Sequence, residues 1–414
     1  MKSLSNSIDR IGTESAFSIG PEILTIEKKG YKVARLNVGE PSSNITDSAK
    51  KAIIKSINNN QTHYAPSSGL ESLRKKIAEY VTITRGVKFE ADDIVLTPGG
   101  KPVISGVLFS VLNPGDEAIY PTPAYPIYES MIDFIGAIKK PILLEEEKEF
   151  NFLISDLVKN VTNRTKVLIL NSPSNPTGGT ILNEDLKEIA KIVKKNDLFV
   201  LSDEIYQRIV FDKTLKKVSY KKSRFLVSSS ISSFPGMAER TVILDGFSKT
   251  YAMTGLRLGF AASKNRQIIN KLITYAINMW TNLPEPLMRG AEAVLDDSQE
   301  EAQKEIENYH QRRDMAVKLI NEINGITVHK PLGSFYLFPN VTKALKKLRL
   351  PDAETFRRYL LTCDQKNKQG VAVLARKHFG KQLPEEKEEY IRISFAGSYE
   401  ELKKGILIIK KALS

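Results

Sequence analysis

One cysteine in 414 residues, Cys363, excludes an intrachain disulfide and any cysteine-based zinc cluster, and such usage suits a reducing compartment. No run of about 18 apolar residues occurs, and the opening MKSLSNSIDRIG has no apolar h-region. Neither a spanning helix nor a secretory signal is expected, and the expected compartment is cytoplasmic. The Asn-X-Thr triplets at Asn44, Asn160 and Asn163 are then chance matches. Acidic residues are in short supply: 61 Lys and Arg face 48 Asp and Glu, a formal charge of +13. The excess is spread in pairs such as Lys28-Lys29, Lys194-Lys195 and Lys221-Lys222, without a helix-turn-helix or interleaved aromatics. Nucleic acid is therefore not an expected partner, and the cations read as solvated helix faces that attract anionic small molecules. Internal repeats and low-complexity linkers are also missing.

What remains is ordinary for a globular protein, with 41% hydrophobic and 26% charged residues. The length allows two or three domains of roughly 100 to 200 residues. Short β-branched runs at Ile94 to Thr97, Glu117 to Tyr120, Lys166 to Leu170, Leu198 to Ser202, Thr241 to Leu244 and Leu258 to Ala262 read as strands. Between most of them lie amphipathic helical patterns, for example Glu184 to Lys195 with Leu186, Ile189, Ile192 and Val193 on one face. This alternation predicts an α/β fold, a mostly parallel, doubly wound sheet covered by helices. From about Gly290 to Ile323 the pattern turns helical and highly charged. Short strands follow at Thr327-Val328, Phe335 to Phe338, Val371 to Leu374 and Ile391 to Phe395, predicting a smaller α+β unit onto which Leu4 to Leu36 could pack. The expected division is a large domain over 46–290 and a small domain made of 1–45 and 291–414, with a cleft between them.

Ligands of doubly wound sheets bind beyond the carboxyl ends of the strands. Several runs end there in polar or glycine-rich residues: Pro98-Gly99-Gly100-Lys101, Pro121 to Tyr125, Asn171 to Gly179, Asp203 to Tyr206, and Asp245 to Lys249. Gly99-Gly100-Lys101 opens the helical run Val103 to Leu112, where glycines admit close approach and unpaired N–H groups suit a phosphate. Arg257 adds a bidentate donor. Asp203 closes an apolar run and needs a cationic partner, such as a protonated pyridine nitrogen. Asn175 and Tyr206 carry a neutral donor and a phenol that could reach a ring hydroxyl, and Tyr125 offers a stacking face. Lys249, held where its charge is disfavoured, would be a nucleophilic amine toward aldehydes. Singly these residues have plainer explanations as a turn, an N-cap, core or loop tyrosines and a snorkelling lysine. Together they complement pyridoxal 5'-phosphate.

At this point the chain resembles a known family. NSPSNPTGG (171–179), SDEIY (202–206), FSKTYAMTGLRLG (247–259) and IRISFA (391–396) are similar to the four signature segments of fold-type I, class I aminotransferases, in family order. The resemblance runs from about Ser15 to the end and is closest to the prokaryotic aspartate aminotransferase branch, whose Gly-Gly-Lys loop matches Gly99-Gly100-Lys101. It implies that Lys249 forms a Schiff base with the cofactor and then moves the proton between the substrate α-carbon and the cofactor. Asp203 would keep the ring nitrogen protonated, while Asn175 and Tyr206 hold the 3'-oxygen and Tyr125 stacks. Arg257 with Gly99, Gly100 and Lys101 would hold the phosphate, with Ser248 beside Lys249 also in the cofactor-binding set. Arg392 would clamp the substrate α-carboxylate, flanked by Gly39 and Asn175. Tyr64 of HYAPSSG would reach the phosphate in a neighbouring subunit's site, which implies a homodimer with shared sites. No metal is implied.

Several positions depart from the family pattern. Gly246 stands where a serine often contacts the phosphate, Tyr125 replaces a tryptophan common in aspartate-specific members, and Pro102 replaces a usual glutamine. The loop Ala375 to Gly380 is unusually basic. Lys101 and Arg376 are the candidates to engage a distal carboxylate, which favours aspartate or glutamate with oxaloacetate or 2-oxoglutarate in a ping-pong exchange. Aromatic, kynurenine or methionine aminotransferases and carbon-sulfur lyases share the same constellation, and cofactor-binding regulators share the fold without the reaction.

Overall fold

The computed structural model describes residues 4, 6–12, 19–212 and 215–414. Ser15, where the family resemblance begins, and parts of the segment Leu4 to Leu36 lie outside the described residues. A seven-stranded sheet forms the centre, in the order Ile94–Thr97, Gly259–Ala262, Thr241–Gly246, Phe199–Asp203, Thr165–Asn171, Glu117–Thr122, Ile138–Leu143. Every pairing is parallel except those of Gly259–Ala262, which runs antiparallel to both its neighbours.

Because successive side chains in a strand point to opposite faces, each apolar strand must be covered twice. Ile169, Leu201, Val242 and Leu244 face one layer, packed against Val103, Ile104 and Val107 of helix Lys101–Val111, Ile132 of Ile127–Ile135 and Leu272 of Arg266–Met279. Leu168, Leu170 and Val200 face the other layer, against Leu186, Ile189 and Val193 of helix Asn183–Lys195. Those three helix residues recur every three or four positions, which places them on one stripe, and each is essentially fully buried. Burial of each contributes about 1.5–3 kcal/mol. Glu184 and Asp185 in its first turn and Lys194 and Lys195 in its last complement the helix dipole. Further along the same face, Ile243 and Phe260 meet Leu73, Ile77 and Val81 of helix Glu71–Arg85.

A second core joins Lys32–Arg35, paired parallel with Gln369–Ala372, to a three-stranded antiparallel sheet of Tyr336–Leu337, Ile391–Ser394 and Leu374–Ala375. Helices Gln299–Asn321 and Tyr399–Leu413 cover it through Ile306, Ile320, Ile406 and Ile409. The early segment thus packs on the C-terminal unit through Lys32–Arg35. The helical run expected from Gly290 breaks at Ser298, giving Glu285–Asp297 and Gln299–Asn321. Thr327-Val328 contributes only an isolated bridge, Thr327 to Asn340, rather than a strand. Three features had no strand expectation: Lys32–Arg35, the edge strand Ile138–Leu143, and the hairpin Lys216–Tyr220 with Ser223–Val227. Among the described residues no helix is long and apolar enough to cross a membrane.

Candidate active site

Where the parallel strands end, the chain encloses a cavity of about 480 Å³. Eleven of the residues singled out in the sequence contribute to its wall: Gly39, Gly100, Lys101, Tyr125, Asn175, Asp203, Tyr206, Ser248, Lys249, Arg257 and Arg392. They come from five strand ends of the main sheet, from the segment after Lys32–Arg35 and from strand Ile391–Ser394. The Lys249 Nζ donates to the Gly39 carbonyl at 2.7 Å and lies 5.6 Å from the centre of the Phe335 ring.

The glycine loop is shaped for close approach. Gly99 has φ +87°, and a Cβ there would collide with the Arg257 guanidinium, so Gly99 sits directly behind Arg257 rather than in the wall itself. A Cβ on Gly259 would come within 2.7 Å of the Gly99 carbonyl carbon. Helix Lys101–Val111 begins without a side-chain cap, and Gly100, Lys101 and Ile104 at its start line the cavity; Pro102 sits where an N–H has no helical partner to lose. Arg257 itself has φ +54° and donates from Nη1 to the Thr254 carbonyl at 2.9 Å. Gly246 lies too close to Gly259 Cα, at 2.9 Å from any Cβ, for a serine to fit without movement. This accounts for the missing hydroxyl.

Asp203 is buried, accepting a hydrogen bond from the Tyr128 hydroxyl at 2.5 Å and one from the Ile205 N–H at 3.3 Å. Burial pushes its carboxyl up to about 6; the two hydrogen bonds pull it back down, and the nearby Asp245 and Glu204 charges push it up further. Among the described residues no cation forms an ion pair with this carboxylate, and a basic ring nitrogen would supply one. Asn171 ties the neighbouring loop to this strand: its Nδ2 donates to the Asp203 carbonyl at 3.3 Å, and its Oδ1 accepts from the Asn175 N–H at 2.8 Å. Asn175 Oδ1 then accepts from Arg392 Nη1 at 2.8 Å, while Arg392 Nη2 donates to the Asn37 carbonyl at 2.5 Å. The guanidinium lies 4.3 Å from the Tyr336 ring centre and 5.0 Å from that of Phe379, which fixes its plane. The Tyr206 and Tyr336 hydroxyls are 3.0 Å apart, and burial with this pairing raises the Tyr206 phenol well above its ordinary range. A Cβ on Gly39 would overlap the Tyr336 hydroxyl, so glycine is required there.

Two expected site residues lie elsewhere. Arg376 has no exposed side-chain surface: it donates from Nε to Glu386 Oε2 at 2.7 Å, from Nη2 to Glu386 Oε1 at 2.6 Å and to Thr122 Oγ1 at 2.9 Å, and from Nη1 to the Gly380 carbonyl at 3.0 Å. The expectation that it meets a distal carboxylate is corrected, because its donors are committed to holding the 375–386 loop. Tyr64 is 89% exposed and lines a different surface cavity with His63, Asn282 and Pro284. Tyr128 and Tyr336 were missed. Tyr128 follows Tyr125 by three residues, its ring centre 5.9 Å from that of Tyr125, and that spacing was the one available signal.

The donor set fits pyridoxal phosphate: a glycine cradle with an arginine for the anionic end, a buried carboxylate for a basic nitrogen, a tyrosine face and an amine. The sequence model described as aminotransferase class I and II matches residues 31–409. The aspartate aminotransferase of Pyrococcus abyssi is 33% identical over 92% of each chain. Among solved structures, the aromatic aminotransferase of Pyrococcus horikoshii is 31% identical, with a TM-score of 0.83 over 94% of this chain and 98% of that one. The Thermus thermophilus aspartate aminotransferase with maleate is 25% identical, with a TM-score of 0.87 over the full length of both. The cavity and these likenesses agree, and the chain belongs to the class I and II aminotransferases, in the fold-type I branch that holds the prokaryotic aspartate aminotransferases, as a pyridoxal 5'-phosphate-dependent transaminase.

Proposed function

We propose that this transaminase moves the amino group of L-aspartate or L-glutamate to 2-oxoglutarate or oxaloacetate in two half-reactions through one cavity. The observation that carries this is the cation set of the wall: Arg392, Lys101, Arg257 and Lys249 line a single cavity, while Arg376 is committed elsewhere. Arg257 and the start of helix Lys101–Val111 hold the cofactor phosphate. Arg392, its plane fixed by Asn175, Asn37 and two rings, grips the substrate α-carboxylate. Lys101 then meets the distal carboxylate. The Pyrococcus abyssi relative is named for aspartate, and maleate, a dicarboxylate, was bound to the Thermus enzyme.

Bound pyridoxal phosphate supplies an electron sink conjugated to the substrate amine. Asp203, a buried carboxylate in the cavity wall, would pair with the ring nitrogen and favour its protonated form. Tyr206 and Asn175 donate toward the ring oxygen. Lys249 Nζ would hold the cofactor, and as a free amine beside bound substrate it would take the proton from the substrate α-carbon without diffusing away. Residues 46–290 form the cofactor-binding unit on this reading, and 1–45 with 291–414 bring Arg392 and Tyr336 against it. A cytoplasmic homodimer, in which the exposed Tyr64 reaches the partner's phosphate site, completes the assembly.

A second reading, transamination of aromatic amino acids, is favoured by Tyr125, Tyr128 and Ile104 in the wall and by the Pyrococcus horikoshii likeness. A survey of half-reactions separates the two: single amino acids are added to the holoenzyme without a keto acid and the cofactor absorption band is followed. Aspartate and glutamate outpacing phenylalanine, tyrosine and methionine is the expected result. Faster conversion by aromatic amino acids would replace the dicarboxylate assignment with the second reading. Pyruvate and ammonia released without an acceptor would point to a carbon-sulfur lyase.

A further inference from the structure

We infer that Arg85 is a positioning residue for the reaction: from the far side of the sheet it balances Glu204 and Asp245 and so keeps the Asp203 carboxylate available to the cofactor as an anion. The inference rests on the assignment of Asp203 to the ring nitrogen. Asp203 pairs with Leu244 in register, and both face the cavity. The next residue on each strand, Glu204 and Asp245, therefore points to the opposite face, and the ladder continues there with the Glu204 N–H donating to the Leu244 carbonyl at 2.8 Å. Helix Glu71–Arg85 covers that face and delivers Arg85 from its last turn, closed by Gly86 at φ +77°.

The contact is dry and fully satisfied. Arg85 has no exposed side-chain surface; Nε meets Glu204 Oε2 at 2.9 Å, Nη2 meets Asp245 Oδ2 at 2.6 Å and Nη1 donates to Thr84 Oγ1 at 2.8 Å. Ser202 and Ser230 donate to Glu204 Oε1 at 2.9 and 2.6 Å, and the Gly246 N–H donates to Asp245 Oδ1 at 2.7 Å. Buried ionic triads add little net stability compared with apolar packing of the same volume. Its place beneath the cofactor-facing carboxylate gives this one a function. The triad carries one net negative charge, and Asp203 adds a second on the other face of the same two strands. Above Asp203 stand the Tyr128, Tyr125 and Tyr206 phenols and the cations Lys249, Arg257 and Arg392 across the cavity. Below it stand the two anions and Arg85, backed by Tyr80, Tyr251 and Arg208. Removing Arg85 leaves Glu204 and Asp245 without their cation on the other face of the sheet, and their negative field raises the proton affinity of Asp203.

The test is a 13C NMR pH titration of the Asp203 carboxyl in the apoenzyme, assigned by its loss in Asp203→Asn, with the pH dependence of the bound cofactor's absorption band as a second readout. Asp245→Asn is expected to lower the midpoint by about one pH unit, a tenfold change in proton affinity, and Arg85→Met to raise it by a similar amount. The double variant Arg85→Met/Asp245→Asn, which restores the net charge, returns close to wild type. A triad that merely holds the fold would move both single variants the same way or not at all, which overturns the inference. Should Arg85→Met fail to fold, equal midpoints in Asp245→Asn and the double variant overturn it equally. The midpoints are read without substrate, so the expected ordering in a protein that converts no amino acid would remove the functional reading and not the electrostatic one.

Discussion

Replacing Asp203 by asparagine is expected to stabilise the cofactor-free enzyme while removing its activity. The carboxyl is fully buried and pushed from its ordinary 3.8 up to about 6, chiefly by burial. The folded protein therefore holds this proton more tightly than the unfolded chain does. Below about pH 4 both states are protonated and the group contributes nothing unfavourable; between about pH 4 and 6 stability falls as pH rises, and above that range the whole difference is present. A displacement of about two pH units corresponds to roughly 3 kcal/mol. Asparagine keeps Oδ1 to accept from the Ile205 N–H, and its Nδ2 can donate to the Tyr128 hydroxyl oxygen where Asp203 Oδ2 accepted from that hydroxyl, so both contacts that hold the side chain keep a hydrogen bond. Urea unfolding of the two apoenzymes across pH 4 to 8 measures the effect. The expected outcome is Asp203→Asn more stable by roughly 3 kcal/mol at pH 8, with the curves converging near pH 4. Added pyridoxal phosphate should reverse the order, because only the carboxylate compensates a ring cation. A variant less stable at pH 8, or a difference independent of pH, would show that Asp203 is not a desolvated anion awaiting a cation.

Two further outcomes are expected. Arg392→Lys keeps the charge but loses the planar fork set by Asn175, Asn37 and the Tyr336 ring; losing one of two charge-assisted bonds and its alignment should lower kcat/KM for aspartate about 10²- to 10³-fold, and a loss under tenfold would contradict the clamp. Arg376→Met strands the buried Glu386 carboxylate and should cost about 3–5 kcal/mol in unfolding free energy with no change in the ratio of aspartate to phenylalanine rates; a shifted ratio would return Arg376 to the substrate site.

The rim was legible because its strands are apolar runs that end abruptly in polar residues, and a parallel sheet buries such runs on both faces. Ile138–Leu143 escaped because Ile-Lys-Lys-Pro-Ile-Leu is an edge strand, partly exposed, with two lysines and a proline in place of an apolar run. The 216–227 hairpin, opened by two lysines and turned at two more, carries too few apolar residues to announce itself. Arg376 was misplaced for a related reason: a basic loop in sequence does not show that Glu386, ten residues on, folds back to satisfy it. Tyr336 and Arg85 become site residues only through tertiary placement, and Tyr128 has only its three-residue spacing from Tyr125 to mark it. Arg85 reads as the last cation of an amphipathic helix, and only the strand register reveals that it lies beneath Asp203.

The claim on which the rest depends is that the Lys249 amine is the group that holds the cofactor. Borohydride treatment of the holoenzyme, which fixes the cofactor to whichever amine carries it, followed by peptide mass mapping, tests that claim directly. The account predicts the cofactor mass on the peptide containing Phe247-Ser248-Lys249-Thr250 and a protein that no longer converts aspartate, with Lys249→Ala unlabelled. Label on Lys101 or on any other lysine, with Lys249 unmodified, would contradict it.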